Sequence, residues 1–362
     1  MIKAAGTNPV SSRDDRGLVL FSIVTVMPFS QRLWLRRQPI LVALLYATMT
    51  AGDSGADEPP ALARTRPQPA NHRRPANADE LRYWLQSMVW HHRFTVDEVT
   101  SATGMTADEV RSALARFDIR SDNPPDRDAD REQKILVLPY PRGRHPRAGH
   151  LAAAVRPQRE TKLSIFSPWD QSSYVVVDVP EAIDSNLGIL HLAHTHVPTY
   201  WTQRNIELER LEWNRRDDGS LDIQRRLPNN VSFAVRVEPA CEGVWMSFAL
   251  TNGTDRKLTQ LRMDPCVMLS RAKGFEPQTN ENKILRKPFA ACRSAKGDRW
   301  IITAWKDCRH VEANPACPCM HSHPMLSECE PGETVTGRGW LSFYEGTDID
   351  AEFRRLEEVM WR

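Results

Sequence analysis

The sequence predicts a mainly β fold, an antiparallel β-sandwich, preceded by a small module of three helices. Many short segments alternate apolar and polar residues at intervals of roughly ten residues, which is the pattern of a sandwich. In residues 231–238, for example, Val231, Phe233 and Val235 share one face, and residues 243–251 alternate in the same way. The sequence contains no glycine-rich phosphate loop of the Walker or dinucleotide-binding type, so a nucleotide-binding βαβ fold is not indicated.

Three short helices are predicted in residues 79–120. Apolar side chains recur there three and four residues apart, beginning at Leu81. Capping boxes, in which a threonine is followed three residues later by a glutamate, begin the second and third helices at Thr95 and Thr106. Gly104 lies between these two helices, so the arrangement is that of a helix-turn-helix motif.

A helix-turn-helix motif suggests DNA binding, but the charges of this one argue against it. The third helix, residues 106–117, carries the acidic residues Asp108 and Glu109 against the basic residues Arg111 and Arg116 and is therefore neutral. The whole chain has 48 basic against 46 acidic residues, a formal net charge of +2. Because nucleic-acid binding depends on concentrated positive charge, we predict no nucleic-acid partner. The module is expected to pack on the rest of the chain or to bind a partner.

Residues 1–56 have the order of regions found in a secretory signal peptide. Three arginines in residues 31–37 precede an apolar run at residues 39–51, and small residues follow up to Ala56. Translation from Met27 would give a signal peptide of ordinary length. The apolar run is shorter than the ~20 residues that span a bilayer, so no stable membrane span is expected after processing. The sequence thus predicts export to the periplasm or the extracellular space; an uncut anchor and a short core helix are the alternatives.

The remaining boundaries follow from changes in composition. Stretches rich in proline, arginine or mixed charge and without periodicity are predicted to be linkers, whereas periodic stretches are predicted to fold. The predicted order is a linker at 57–78, the helical module at 79–120, a linker at 121–133, the β-sandwich at 134–347 and a C-terminal helix at 348–362.

The seven cysteines are concentrated between residues 241 and 329. In an exported protein this density predicts a loop closed by disulfide bonds, and a structural zinc site is the alternative. Because the total is odd, one thiol is left over, and Cys241 is the expected one. The candidates for disulfide bonds or a structural metal are Cys266, Cys292, Cys308, Cys317, Cys319 and Cys329.

Two histidine pairs of equal spacing are the candidate metal ligands. The pairs are His194 with His196, and His321 with His323. In a strand, residues at this spacing share one face, so each pair can hold one ion. If the pairs converge, they form a site for a divalent transition metal, zinc or copper. The alternative is that the histidines only form hydrogen bonds with the backbone.

A polar loop and two aromatic residues are the candidate carbohydrate ligands. The loop offers the amides and the ammonium group of Asn280, Asn282 and Lys283. Tyr200 and Trp201 are expected to stack on a sugar ring. A solvated surface loop is the alternative. No spacing singles out a pair of carboxylates, so the sequence predicts neither catalytic residues nor a reaction, and it leaves the oligomeric state open.

Several motifs resemble those of a group of exported bacterial proteins of unknown function. They are AHTHVPT, QTNENK, CPCMHSHP and GWLSFYEGTDI, within a likeness that covers residues 81–349. More loosely, the alternating block at residues 231–268 is similar to the sandwich core of galactose-mutarotase-like proteins. That resemblance implies a sandwich in which paired histidines and a carboxylate open and close sugar rings without a metal. The histidines of this chain instead occur as HxH pairs, and no matching carboxylate can be assigned.

Two functions follow from these features. The first is an exported carbohydrate-binding or carbohydrate-active protein with a histidine metal site and a glycan ligand. The second is a non-catalytic envelope or partner-binding protein, in which a loop held by disulfide bonds or zinc has a structural role.

Overall fold

The described part of the chain is given by a computed structural model, which covers residues 72–125, 134–142, 160–193, 197–315 and 317–361. The predicted signal segment, most of both predicted linkers and the histidine pair His194 and His196 lie outside these residues.

The helices in the described part of the chain are α1 (Ala78–Leu85), α2 (Val96–Thr103), α3 (Ala107–Arg116) and α4 (Ile349–Val359). A π-helical segment, Gln86–His91, continues α1. Both predicted capping boxes are formed, because Thr95 and Thr106 accept hydrogen bonds from the backbone at the third helical position. None of these helices is long and apolar enough to cross a membrane.

The strands of the described residues form two antiparallel sheets. In chain order they are β1 (Val137–Pro139), β2 (Lys162–Phe166), β3 (Tyr174–Ser185), β4 (Gly188–Leu192), β5 (Asn214–Arg215), β6 (Leu221–Arg226), β7 (Ser232–Pro239), β8 (Gly243–Thr251), β9 (Arg262–Met268), β10 (Lys283–Arg286), β11 (Phe289–Arg293), β12 (Arg299–Trp305), β13 (Cys308–Asn314), β14 (Cys319–Pro324) and β15 (Thr334–Glu345). The seven-stranded sheet has the order β1-β2-β3-β9-β14-β13, with β4 also paired to β3. The eight-stranded sheet has the order β10-β11-β12-β15-β8-β7-β6-β5. The predicted mainly β, antiparallel fold is confirmed.

The sandwich core lies between the two sheets. Alternate residues of each strand point into it, among them Val177 of β3, Val235 of β7 and Phe248 of β8. Trp305 of β12 is fully buried there and lies over Gly339 of β15. We call the opposite side of each sheet, which faces away from this core, its outer face.

The three N-terminal helices pack on the outer face of the seven-stranded sheet. Their apolar residues, including Leu85, Met88 and Val99, form one hydrophobic cluster with Phe166 of β2 and Tyr174 of β3. The helices therefore have a packing role, since their apolar faces are covered by the sheet.

Helix α4 covers part of the outer face of the eight-stranded sheet. Phe353 stacks on Phe289 of β11 with ring centroids 4.5 Å apart and planes 3° from parallel. Leu356 and Met360 are buried in the same cluster, next to Trp340 of β15. Beyond β15, Trp245 of β8 packs against this cluster, and none of the described residues of β5, β6 and β7 belongs to it.

Two hairpins of the structure were not predicted. The cysteine-rich residues 308–329, predicted to be a loop closed by disulfide bonds, contain the hairpin of β13 and β14. The polar segment at residues 278–283 is followed by a further hairpin of β10 and β11. These strands escaped notice because few of their residues are large and apolar; in β13 only Val311 and Ala313 pack against the core.

Candidate functional site

Three potential metal ligands come together on the outer face of the seven-stranded sheet. The neighbouring strands β9 and β14 pair Cys319 with Met268, and this register places His321 across from Cys266. These side chains point outward because the residues between them, such as Met320, point into the core. One ligand atom each of Cys266, Cys319 and His321 lies within 4.8 Å of the other two.

The imidazole of His321 is oriented for coordination. Its Nδ1 lies 2.9 Å from the carbonyl oxygen of Pro265, which can only accept, so Nδ1 donates the hydrogen. Nε2 lies 3.4 Å from the sulfur of Cys319. Burial lowers the pKa of His321, but the hydrogen bond with Cys319 and the Glu181 carboxylate outweigh it and raise that pKa to about 10, so an ion must displace a proton from Nε2. A hydrogen bond of this kind from the second ring nitrogen fixes the tautomer of metal-binding histidines. The carboxylate of Glu181, 3.9 Å from Nδ1, adds negative charge beside the ring.

The thiol of Cys266 is protonated at neutral pH. The hydrogen bond with Cys319 lowers the pKa of Cys266, but burial and the Glu181 carboxylate outweigh it and raise that pKa to about 12. Because thiolate is the form that binds metals, an ion at this position must displace the proton from sulfur.

The donor set of this cluster fits a thiophilic transition metal. Thiolate sulfur and imidazole nitrogen are the ligands that zinc and copper(I) prefer. Cys266 and Cys319 are only 2% and 3% exposed, and both belong to the hydrophobic cluster beneath the helices. An ion held by these side chains would be shielded from solvent, which is typical of a structural site.

His323 has a different set of partners from His321. The two rings stack with centroids 5.5 Å apart, so the HxH pair shares one face of β14 as predicted. However, Nδ1 of His323 lies 2.8 Å from Asp264 and Nε2 lies 3.2 Å from Glu312. The hydrogen bond with His323 holds the pKa of Glu312 down at about 2. Both ring nitrogens therefore face carboxylates, and the cluster contains His321 without His323. Whether His194 and His196 converge on it stays a prediction, since they lie outside the described residues.

The predicted disulfide bonds are not formed. All seven cysteines lie in the described residues and all are free thiols, with Cys241 exposed. The physical reason is that three of the candidates point to different places. Cys292 is buried in the core, whereas the sulfurs of Cys308 and Cys329 each lie 3.2 Å from a backbone carbonyl, of His310 and Glu333 respectively.

The predicted stacking of Trp201 on a sugar is wrong. Trp201 is 2% exposed, and its indole donates a hydrogen bond to the carbonyl oxygen of Leu190 at 2.7 Å. The short 3₁₀ turn Thr202–Arg204 follows directly and leaves the indole in the core. Tyr200 is half-buried, and the guanidinium of Arg204 lies 3.5 Å from its ring centroid. One face of that ring is therefore already occupied.

The polar loop forms its hydrogen bonds within the protein. Asn280 donates to the carbonyl oxygen of Ala313 in β13 at 3.3 Å. The ammonium group of Lys283 donates to the side chain of Asn282 at 3.2 Å and to the carbonyl of Thr279. The role of Asn280, Asn282 and Lys283 in binding a sugar stays a prediction.

A groove of about 640 Å³ crosses the outer face of the eight-stranded sheet. It runs over β6, β7, β8 and β15. Its floor is low because Ala234 and Ala249, which lie opposite each other in β7 and β8, have short side chains. One row of paired residues across the four strands is Asp222, Arg236, Ser247 and Arg338, and the row beside it is Gln224, Ala234, Ala249 and Thr336. We call this feature the sheet groove.

The sheet groove has a mixed polar and apolar lining and carries an excess of positive charge. Arg236, Arg338 and Lys306 line it, against two aspartates. Arg236 is engaged by acidic neighbours, with Glu238 3.0 Å away. Neither Lys306 nor Arg338 forms an ion pair with another described residue, although Arg338 lies over the ring of Trp245 at 4.4 Å. Two cations thus remain open to an anionic ligand.

The sequence analysis missed the sheet groove. Its residues are the polar half of the same alternation that predicted β6, β7, β8 and β15, so the signal was present. The pairing of β15 with β8 joins segments that are distant in the sequence, so the local pattern does not reveal it. Without that pairing the two rows of the groove cannot be recognised.

No family model and no curated protein matches the chain. Among solved structures, a polysaccharide lyase is 9% identical to this chain with a TM-score of 0.34. The match covers 60% of this chain and 33% of the lyase. An aldose 1-epimerase candidate from Escherichia coli K12 is 12% identical with a TM-score of 0.26, covering 37% of this chain and 69% of its own. The Slr1438 protein from Synechocystis sp. PCC 6803 is 9% identical with a TM-score of 0.30, and the match covers 51% of this chain and 88% of that protein. The chain thus spans about a third of the lyase, and likenesses this distant carry no argument about what it binds.

Proposed function

We propose that this protein is a carbohydrate-binding protein that holds an acidic glycan in the sheet groove. The observation that carries the proposal is the groove itself, an open channel of about 640 Å³ with a floor of short side chains and with basic and polar residues in its lining. Its volume is within the range of ligand sites, which combine an apolar lining with a few polar groups that orient the ligand.

The ligand class follows from the groups that line the groove. Gln224, Ser247 and Thr336 offer hydrogen-bond donors and acceptors, which match the hydroxyl groups of sugars. The unpaired cations Lys306 and Arg338 match a carboxylate or sulfate on the sugar. With the export predicted from the N-terminal sequence, the ligand would be an external glycan.

The metal cluster on the other sheet serves stability in this proposal. An ion bound by Cys266, Cys319 and His321 would join β9 to β14 beneath the helices. The free energy of metal binding would stabilise the folded state, as in other structural metal sites.

Removing the two open cations is expected to weaken glycan binding by about 100-fold, since each hydrogen bond to a charged group contributes about 1.5 kcal/mol or more. The variant is Lys306→Ala/Arg338→Ala, and calorimetric titration with polygalacturonate oligosaccharides measures the Kd. The neutral maltohexaose is expected to bind more weakly than the acidic sugar. Binding of the acidic sugar should also weaken as salt is raised.

The control removes one exposed positive charge from the opposite sheet. Arg262 is exposed on β9 and pairs with Asp184 at 3.5 Å. Arg262→Ala should bind the acidic sugar as the unaltered chain does. The proposal is overturned if the unaltered chain binds neither sugar, or if the double variant and the control have the same affinity.

A second candidate function is metal-assisted chemistry on the seven-stranded sheet. The specific observation is that His323, with Asp264 and Glu312, lies directly beside the cluster. Such a group can move protons during a reaction. This candidate requires that His323→Gln abolish turnover of a sugar substrate while the metal content and the unfolding transition are unchanged. If metal removal instead unfolds the protein, the structural role is supported.

A further inference from the structure

The thiol of Cys317 lies against the metal cluster and is not one of its three grouped ligands. Cys317 is fully buried, and its sulfur lies 3.6 Å from that of Met268, the residue that pairs with Cys319. A tight turn, in which the amide of Cys319 donates to the carbonyl of Cys317 at 2.6 Å, holds the two cysteines together. The Cys317 side chain is also one of the groups that lower the pKa of Cys319.

The three thiols form a continuous group. The sulfurs of Cys319 and Cys266 lie within 4.8 Å of each other, and Cys317 is tied to Cys319 by the tight turn and to its partner Met268 through sulfur. His321 faces Cys319 through Nε2, the ring nitrogen that is not bonded to the Pro265 carbonyl. Three sulfurs and one imidazole nitrogen are the complete ligand set of a closed tetrahedral site.

The surroundings of the group favour a soft ion and exclude a substrate. The thioether of Met268 lies next to Cys317, and sulfur-rich sites select zinc, copper(I) and similar ions over harder ones. Apolar side chains of the helical module share a cluster with the three cysteines, so the group is covered. Buried cysteines also occur simply as small apolar residues, and the experiment below separates the two cases.

We propose that Cys317 completes the metal centre, so that Cys266, Cys317, Cys319 and His321 together bind one thiophilic ion in a closed, four-ligand structural site. This inference rests on the metal cluster included in the proposed function. It adds the fourth ligand and the class of ion, and it implies that the loop before β14 is held to β9 by the ion.

The test uses cobalt(II) as a spectroscopic probe of the reduced, full chain. The near-ultraviolet sulfur-to-cobalt band grows with the number of bound thiolates, so Cys317→Ser is expected to lose about one third of it. The affinity for cobalt should fall by more than about 10-fold, the lower end of the loss that outer-sphere partners alone cause. The matched control is Cys292→Ser, which replaces another fully buried cysteine, in β11, and should change neither the band nor the affinity.

A second measurement needs no variant. X-ray absorption at the zinc edge of the unaltered, zinc-loaded chain should give three sulfurs at about 2.3 Å and one nitrogen at about 2.0 Å. Two sulfurs, or a Cys317→Ser band equal to the unaltered one, would overturn the role of Cys317 and leave the three-ligand centre standing. No binding of cobalt or zinc by the reduced chain would overturn the centre as a whole, while glycan binding in the sheet groove is decided separately by calorimetry.

Discussion

Replacing Lys162 with methionine is expected to lower the free energy of unfolding by about 3–5 kcal/mol, because it leaves a buried carboxylate without its ammonium partner. Lys162 of β2 lies directly opposite Asp178 of β3, and their charged groups are 3.0 Å apart. Neither side chain is exposed to solvent. Chemical denaturation of the variant measures the loss.

The double variant Lys162→Met/Asp178→Val tests whether the loss of stability comes from the carboxylate that Lys162 no longer neutralises. If the loss comes from the uncompensated charge, removing the carboxylate as well should restore part of the stability. The control is Lys257→Met, since Lys257 contacts Glu328 and Glu330 at 2.7 and 2.9 Å but is exposed, and its loss should change stability little. A single variant no less stable than this control, or a double variant no more stable than the single one, would contradict the argument.

The buried ion pair belongs to the same line of residues as the metal cluster. Across the seven-stranded sheet, Asp178 is paired with Cys266 of β9, and β14 places His321 next along the row. The Asp178 carboxylate is among the groups that raise the pKa of Cys266. The polar row beneath and beside the helices is thus continuous, and a change at Lys162 alters the charge that the cluster experiences.

The strands could be predicted where one face is buried and the other is not. β8 and β12 have the bounds that alternation predicted, residues 243–251 and 299–305. β13 was missed because it is an edge strand whose outward residues are polar and whose inward residues are small. The alternation of apolar and polar residues reflects burial, and a strand at the edge of a sheet is less buried than a central one.

The candidate site could be predicted only in part. That His321 and His323 share one face followed from their spacing, and Cys266 and Cys319 were named as structural candidates. Their meeting with His321 depends on the register of β9 against β14, which are separated by the length of four other strands in the chain. Trp201 was predicted to be exposed and is buried, because the residues around it in the sequence do not distinguish a buried indole from an exposed one.

Acidification is expected to destabilise the protein well above the pH at which carboxylates titrate. His92 and His191 are fully buried, and desolvation lowers the pKa of each from 6.5 to about 3. His92 donates from Nδ1 to the carbonyl of Ser87 at 2.8 Å and accepts at Nε2 from the hydroxyl of Ser164 at 2.8 Å, an arrangement that requires the neutral ring. His191 contacts Phe233 in the core.

The sign follows from the lowered pKa values. Above pH 6.5 both rings are neutral in the folded and the unfolded chain, and their contribution to stability is fully present. As the pH falls below 6.5 the unfolded chain takes up protons that the folded chain does not, so stability is lost progressively down to about pH 3. Each histidine contributes a slope of about 1.4 kcal/mol per pH unit, or about 2.7 for the two.

Other charged groups near the two rings shift the same pKa values by smaller amounts. Arg271 near His92, and Arg225 and Lys162 near His191, lower the pKa values further, whereas Asp178 raises that of His191. Glu312, with its pKa at about 2, differs between the folded and unfolded chain only below the ordinary glutamate value of 4.5. His321, with its pKa raised to about 10, and His323, whose pKa is also raised, act in the opposite direction: their contribution to stability is present below pH 6.5 and is lost as the pH rises above it. The interval between about pH 5.5 and 4.5 therefore reports mainly on His92 and His191.

Urea denaturation at half-unit steps from pH 7 to 4.5 measures the slope, and His92→Gln identifies its source. Glutamine can keep both hydrogen bonds of the ring without a titrating group, so the variant is expected to show about half the slope, near 1.4 kcal/mol per pH unit. Its stability at pH 7 is a separate quantity, set by how well the amide fills the space of the imidazole. A slope that is flat in the unaltered chain, or equally steep in the variant, would mean that the acid sensitivity does not arise from His92.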